Sequence, residues 1–225
     1  MIDFYTWPTP NGWKVAIALE EMGLPYAVHP VDIGTGAQKA PDYLAVNPNG
    51  RIPAIVDPEG PDGAPIAVWE SGAILQYLAR KTGRFGGSTE RMRIGVDCWL
   101  HWQMGGVGPM AGQAHHFLKY APDPIPYAQD RYVAETARLY GVLDRQLAGR
   151  AFVAGEEYTI ADMAIWPWAS LWEGQRHDLD ATPHMARWLE EVGERPAVRA
   201  GRALLAERRR DPTSKPNEHL HPSRR

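Results

Sequence analysis

A single cysteine, Cys98, stands in the 225 residues of this chain. No intrachain disulfide can form, and no CxxC pair exists to run dithiol chemistry. That excludes a plain thioredoxin-like oxidoreductase and suits a reducing, cytoplasmic compartment. Charge of one sign is also lacking, since 24 Lys and Arg against 27 Asp and Glu leave a net charge of −3. Such a balance gives neither nucleic acid nor a membrane surface a reason to bind. The longest apolar runs, such as AIWPWASLW, are too short to span a bilayer. The opening MIDFYTW has no basic stretch ahead of an apolar run, so no signal peptide is expected. Internal repeats and low-complexity segments are missing. His115 and His116 are adjacent, point to different helix faces and make a poor metal pair, so no metal is expected. What the chain does have is a 44% apolar fraction, ordinary for a globular protein of one large domain or two small ones.

Along the chain the texture changes once. IDFYTW (2–7) is aromatic and β-branched, which suits a strand. A helix follows over about 10–22, with Thr9 at the N-cap, Pro10 at the first helical position and Gly23 as terminator. YAVHPVD (26–32) reads as a strand that Pro30 confines to a sheet edge. After a loop, PAIVD (53–57) and PIAVW (65–69) flank the turn-forming PEGPDG and read as a hairpin. ESGAILQYLARKTG (70–83) is a helix ending at glycine. The expected order is β-α-β-β-β-α around a mixed four-stranded sheet in residues 1–83. GRFGGST marks a linker over 84–89. Residues 90–206 show helical periodicity at about 90–118, 126–148, 159–172, 183–192 and 196–206. GGVGPM (105–110) interrupts the first of these. Thr159 to Asp162 is a capping box with Asp in place of Glu, expected to start a buried helix. Residues 207–225 form a polar, proline-broken tail.

The corner WPTPNGWKV (7–15) raises a question of purpose. It offers a hydroxyl at Thr9, a carboxamide at Asn11 and the orphan N–H groups of a helix start. These are what a small anionic peptide thiol needs, because a helix N-terminus lowers a thiol pKa. A second helix start at Ser71 suits a carboxylate, and the adjacent Glu70 suits an amine. Ile52 lies just before Pro53, where a cis bond would expose its N–H and C=O to an extended peptide. Arg51 or Gln38 could take a second carboxylate. Each feature also has a plain reading: Thr9 as a cap, Asn11 as a first-turn residue, Glu70 and Ser71 as helix-start electrostatics, Arg51 and Gln38 as solvated surface. Their order along one βαβ-ββα pattern joins them.

NPNGRIPAIVD (47–57) followed by WESGAILQYLA (69–79) resembles the glutathione-binding half of a cytosolic glutathione transferase. TIADMAIWPW (159–168) resembles that family's capping motif in the helical half. PTPNG (8–12), DIGTGAQKAPDYLAVNPNGRIPAIVD (32–57), GGVGPMAGQAHHF (105–117) and IPYAQDRY (125–132) are similar to the nu class. That class is in turn similar to the globular domain of the yeast prion regulator of nitrogen metabolism. The resemblance spans about 1–205. It implies a thioredoxin-like domain followed by an all-α domain, forming a homodimer.

By that resemblance Thr9 and Asn11 lie beside the glutathione sulfur. Ile52, with a cis-Pro53, pairs with the cysteinyl part, Glu70 and Ser71 hold the γ-glutamyl end, and Gln38 and Arg51 lie near the glycyl end. Arg131 reaches toward a second glutathione. The implied activity is disulfide-bond reduction with glutathione as co-substrate, the site holding two glutathiones or oxidised glutathione. The alternatives are a transferase conjugating apolar electrophiles, and an idle glutathione-binding interaction domain. Tyr5 is a lesser rival to Thr9. Cys98, in VDCWLHW, is expected to be a buried structural thiol. Trp99, Trp102, Trp166 and Trp168 are expected in the core, and the His115–His116 pair could line an electrophile pocket.

Overall fold

Alternation in IDFYT buries Ile2, Phe4 and Thr6 and makes β1 (Ile2–Thr6) the centre of a sheet. The computed structural model describes residues 1–209. These divide into one unit of Met1–Thr82 together with Ala200 onward, and a second of Gly83–Arg199.

In the first unit, α1 (Pro10–Met22) follows β1 after a three-residue corner. Gly23 ends it in the left-handed region at φ 65°, its N–H bonded to the carbonyls of Glu20 and Leu19. β2 (Tyr26–Pro30) pairs parallel to β1 at the sheet edge, where Pro30 breaks no ladder. β3 (Ala54–Asp57) and β4 (Ile66–Trp69) form the expected hairpin, and the strand order is β2-β1-β3-β4. α3 (Ser71–Thr82) packs against α1. Residues Gly12 to Leu19 are all buried, so α1 is covered on every side. Part of that cover is the second half of α9 (Pro196–Ala203), where a Cβ on Gly201 would stand 2.7 Å from the Ile17 nitrogen.

The stretch read as a loop between β2 and β3 holds a 3-10 turn, Ala37–Lys39, and a short helix, α2 (Pro41–Val46). Pro41 sits at the first helical position and Tyr43 is buried. Six residues are too few to show a period, so the pattern could not reveal this helix.

The second unit is helical: α4 (Glu90–Trp102), α5 (Gly108–Lys119), α6 (Pro126–Leu147), α7 (Ile160–Ala169), α8 (Pro183–Gly193) and the start of α9 (Pro196–Ala203). The GGVGPM interruption is a π-helical turn, Gln103–Val107, rather than a gap. The wide turn brings Gly108 against Gln103, whose Nε2 would lie 2.8 Å from a Cβ there. A side chain at that point would push the buried Gln103 amide aside.

Asp162 organises this unit. It is fully buried and accepts from the N–H groups of Val153 (2.9 Å) and Thr159 (3.0 Å), and from Trp188 Nε1 (3.0 Å). The Thr159 hydroxyl donates to it at 3.2 Å. Burial pushes its carboxyl up to about 6 against those four donors. The box closes at the start of α7 as expected.

Two side-chain expectations change. Cys98 is exposed. The only buried residues of α4 are Val96 and Leu100, one turn apart, and Cys98 lies between them on the opposite face. Trp166 is in the core, but Trp99, Trp102 and Trp168 are only half-buried, and Trp99 and Trp102 meet edge to face at 5.0 Å. Glu207 and Arg208, at the start of the expected tail, belong to a 3-10 turn, Ala206–Arg208. Residues 210–225 of that tail lie outside the described residues.

Candidate functional site

Strand direction gathers the candidate residues of the first unit. β1 and β4 both run antiparallel to β3, and Ala54 stands opposite Tyr5 on one side and Trp69 on the other. The exit of β1, the entry of β3 and the exit of β4 therefore share one end of the sheet. At that end lie the Thr9–Asn11 corner, the Ile52–Pro53 bond and the Glu70–Ser71 helix start.

Thr9 caps α1 with extended backbone, and its Oγ1 accepts from the Gly12 N–H at 3.4 Å. The corner is tight. A Cβ at Gly12 would lie 2.4 Å from the Trp7 carbonyl oxygen and 2.5 Å from Thr6 Oγ1. Glycine alone lets the helix start so close to the strand end. Asn11 is half-buried on the first turn.

The Ile52–Pro53 bond is cis. Ile52 precedes the β3 ladder and is paired in neither register. The backbone leading to it is fixed from below. The Tyr43 hydroxyl and Asn47 Nδ2 both donate to the Arg51 carbonyl, at 2.5 and 2.6 Å. Burial pushes the Tyr43 phenol up to about 12, so it stays a donor. The Arg51 side chain is exposed. Gln38, in the 3-10 turn, is half-buried, and its Oε1 is enclosed with no partner among the described residues. Gly50, at φ 59°, brings this turn close, since a Cβ there would lie 3.0 Å from the Gln38 carbonyl oxygen.

Glu70 is exposed and holds a left-handed backbone, φ 68°, one of four such non-glycine residues described. Its Oε1 accepts from Asn49 Nδ2 at 3.3 Å, and its carbonyl accepts from the Ile74 N–H. Ser71, the first residue of α3, is 6% exposed. Beneath it sits a residue that the sequence did not single out. Lys14 is 1% exposed, and its Nζ donates to Ser71 Oγ at 3.4 Å. Asn49 was missed as well. Its one signal was its place in NPNGR, a turn beside the proline loop.

Tyr5, the rival to Thr9, stacks on His29 at 4.7 Å and packs beside Tyr43. That is the setting of a structural ring. Burial and Asp3 raise its phenol pKa, which disfavours the phenolate.

Arg131 belongs to the second unit. It is exposed on α6 and lines an open hollow of about 710 Å³ with Met110, Tyr127, Asp130, Glu135 and Arg138. His115 on α5 is half-buried, and burial with Lys119 nearby pushes its imidazole down to about 4. Among the described residues no group of three or more His, Cys, Asp or Glu side chains is placed to hold a metal. No described helix is long and apolar enough to cross a membrane.

Two family models match the chain: Glutathione S-transferase, N-terminal domain, over residues 9–81, and Glutathione S-transferase, C-terminal domain, over residues 108–196. The chain is similar to disulfide-bond oxidoreductase YfcG of Escherichia coli (strain K12), 50% identical over 206 residues covering 91% of this chain and 95% of YfcG. It is 44% identical to disulfide-bond oxidoreductase YghU of the same organism, over 98% of this chain and 78% of YghU. Among solved structures, a glutathione transferase from Pseudomonas putida with one glutathione disulfide bound per subunit superposes with a TM-score of 0.87. The two are 43% identical over 91% of this chain and 92% of that one.

Proposed function

The chain belongs to the glutathione S-transferase family, and from that membership we propose that it is a glutathione-dependent disulfide-bond reductase. One observation carries the reading. The α1 start offers a hydroxyl and helix N–H groups to a sulfur, while the corner itself, WPTPNGWKV, holds no cysteine. The reacting thiol is therefore the co-substrate's own. Two relatives, YfcG and YghU, both named as disulfide-bond oxidoreductases, favour the same chemistry.

In this proposal residues 1–83 form the glutathione-binding domain and 90–206 the helical one. Thr9, Asn11 and the α1 N-terminus stabilise a glutathione thiolate. The Ile52 N–H and C=O, outside both strand registers, pair with the cysteinyl backbone. Glu70 takes the α-amine and Ser71, at a helix start, the α-carboxylate. A non-glycine residue at positive φ costs about 1–3 kcal/mol, and at Glu70 that cost aims the carboxylate. Gln38, with its enclosed oxygen lacking a partner, and Arg51 serve the glycyl end. Arg131 serves a second glutathione. The protein works as a cytoplasmic homodimer.

The thiolate attacks one sulfur of a small disulfide. A new S–S bond forms, the old one breaks, and the leaving thiolate takes a proton. A second glutathione thiolate then attacks the glutathione sulfur of the mixed disulfide. Two glutathiones become one glutathione disulfide, and the substrate becomes two thiols. Stabilisation of the thiolate by fixed dipoles, rather than proton abstraction, is the main lever.

The test uses purified protein, excess glutathione and 2-hydroxyethyl disulfide, coupled to glutathione reductase and NADPH. A parallel reaction offers 1-chloro-2,4-dinitrobenzene. Fast disulfide turnover with weak conjugation is expected. The reverse result makes the protein a conjugating transferase. Silence in both, with glutathione still raising the melting temperature, makes it a binding domain.

A further inference from the structure

A lysine is almost never fully buried without a reason, because its ammonium loses its water. Lys14 is 1% exposed, within a run of apolar residues on α1. Its Nζ donates to Ser71 Oγ, 3.4 Å away, across the α1–α3 contact. For fold stability the location is poor. The N-terminus of α3 already carries partial positive charge, and a cation beside it adds to that field. The same arrangement suits an anion held over Ser71. An ammonium can only donate, so Ser71 Oγ accepts from it. The hydroxyl hydrogen is thereby turned away from Nζ.

We propose that Lys14 is a positioning residue for the γ-glutamyl arm of glutathione, orienting the Ser71 hydroxyl and placing a buried positive charge behind the arm's α-carboxylate. This rests on the glutathione reading above and adds a residue to it. Lys14 touches no reacting atom and acts through Ser71 and its field. Glu70, at the β4–α3 junction, is a charged group whose field reaches it. Burial pushes the ammonium down to about 7, and Glu70 opposes that only in part. In the free protein the charge is therefore half lost near neutrality. A ligand carboxylate restores it, and the binding of that carboxylate weakens as pH rises through 7.

The experiment compares two peptides by isothermal titration calorimetry: S-methylglutathione and S-methyl-(4-aminobutyryl)-cysteinylglycine, which differ only in the α-carboxylate. Both lack a free thiol, so turnover plays no part. At pH 6, Lys14→Met is expected to bind S-methylglutathione about 10- to 100-fold more weakly and the decarboxylated peptide unchanged. In the unaltered protein, S-methylglutathione affinity is expected to fall between pH 6 and 8.5 while the decarboxylated peptide holds level. The second measurement needs no variant, so it stands even if Lys14→Met folds poorly. Equal losses for both peptides in the variant, or parallel pH profiles, overturn the role of Lys14 while leaving glutathione binding intact. Failure of the unaltered protein to bind S-methylglutathione at any pH overturns the glutathione reading itself, and this inference with it.

Discussion

Replacing Thr9 by alanine separates the cap this residue forms from the part proposed for it at the glutathione sulfur. As a cap it accepts from the Gly12 N–H at 3.4 Å, the long end of the hydrogen-bond range. A cap loss costs about 0.5–2 kcal/mol, and this geometry places Thr9 at the lower end. As a donor to a thiolate its hydroxyl is worth more, since a hydrogen bond to a charged group contributes about 1.5–3 kcal/mol. At about 1.4 kcal/mol per tenfold, kcat/KM should fall about 10- to 150-fold. The pH at which the rate is half-maximal should rise by about one to two units, because the bound thiol loses stabilisation. Thr9→Ser keeps the hydroxyl and should retain most of the activity. The assay is glutathione-dependent reduction of 2-hydroxyethyl disulfide across a pH series, with urea unfolding to track the cap. An alanine variant with unchanged turnover and an unchanged pH profile would refute the hydroxyl's part. The helix N–H groups alone would then carry the thiolate.

Gly12→Ala places a Cβ 2.4 Å from the Trp7 carbonyl oxygen and 2.5 Å from Thr6 Oγ1. The corner must open, at a cost of about 1–3 kcal/mol in urea unfolding, and disulfide turnover falls with it. Asp162→Ala strands the buried donors Val153 N–H, Thr159 N–H and Trp188 Nε1. At about 1–3 kcal/mol for each unsatisfied group, unfolding stability should drop by about 3 kcal/mol or more; a drop under about 1 kcal/mol contradicts the network. Asp57 is pushed up by burial, but hydrogen bonds from Lys81, Tyr77 and the Glu59 N–H outweigh that and hold its carboxyl below the usual aspartate range. A carboxyl depressed in the folded state stabilises above its unfolded pKa, and that stability is lost as pH falls from about 4 through the folded value. The urea midpoint of the unaltered protein should therefore fall more steeply from pH 5 to pH 3 than that of Asp57→Asn.

The strands and the two helix starts of the candidate site were legible because their signals are local. Thr9, Pro10 and Gly23 bound α1, and PEGPDG closes the β3–β4 hairpin, whatever lies elsewhere in the chain. Other features depend on what packs where. Lys14 reads as surface by residue type, and only the cover on every side of α1 makes it buried. Cys98 reads as buried from its apolar neighbours in sequence, yet α4 buries a single narrow stripe, through Val96 and Leu100. α2 is too short for any periodicity. The π turn at Gln103–Val107 follows a glycine pattern that signals a disturbance without saying which kind. The candidate site repeats the lesson. The corner, the proline loop and Glu70–Ser71 stand out in the sequence, whereas Asn49 and Lys14 matter through partners 21 and 57 residues away.

The central claim is that the sulfur chemistry belongs to bound glutathione and not to the protein. Cys98→Ser yields a chain without any cysteine. Its rate of glutathione-dependent reduction of 2-hydroxyethyl disulfide tests the claim directly. The account predicts the rate of the unaltered protein, and no mass increase of one glutathione on the variant after turnover. A rate lost with that one sulfur atom would put a protein thiol in the reaction and contradict the account.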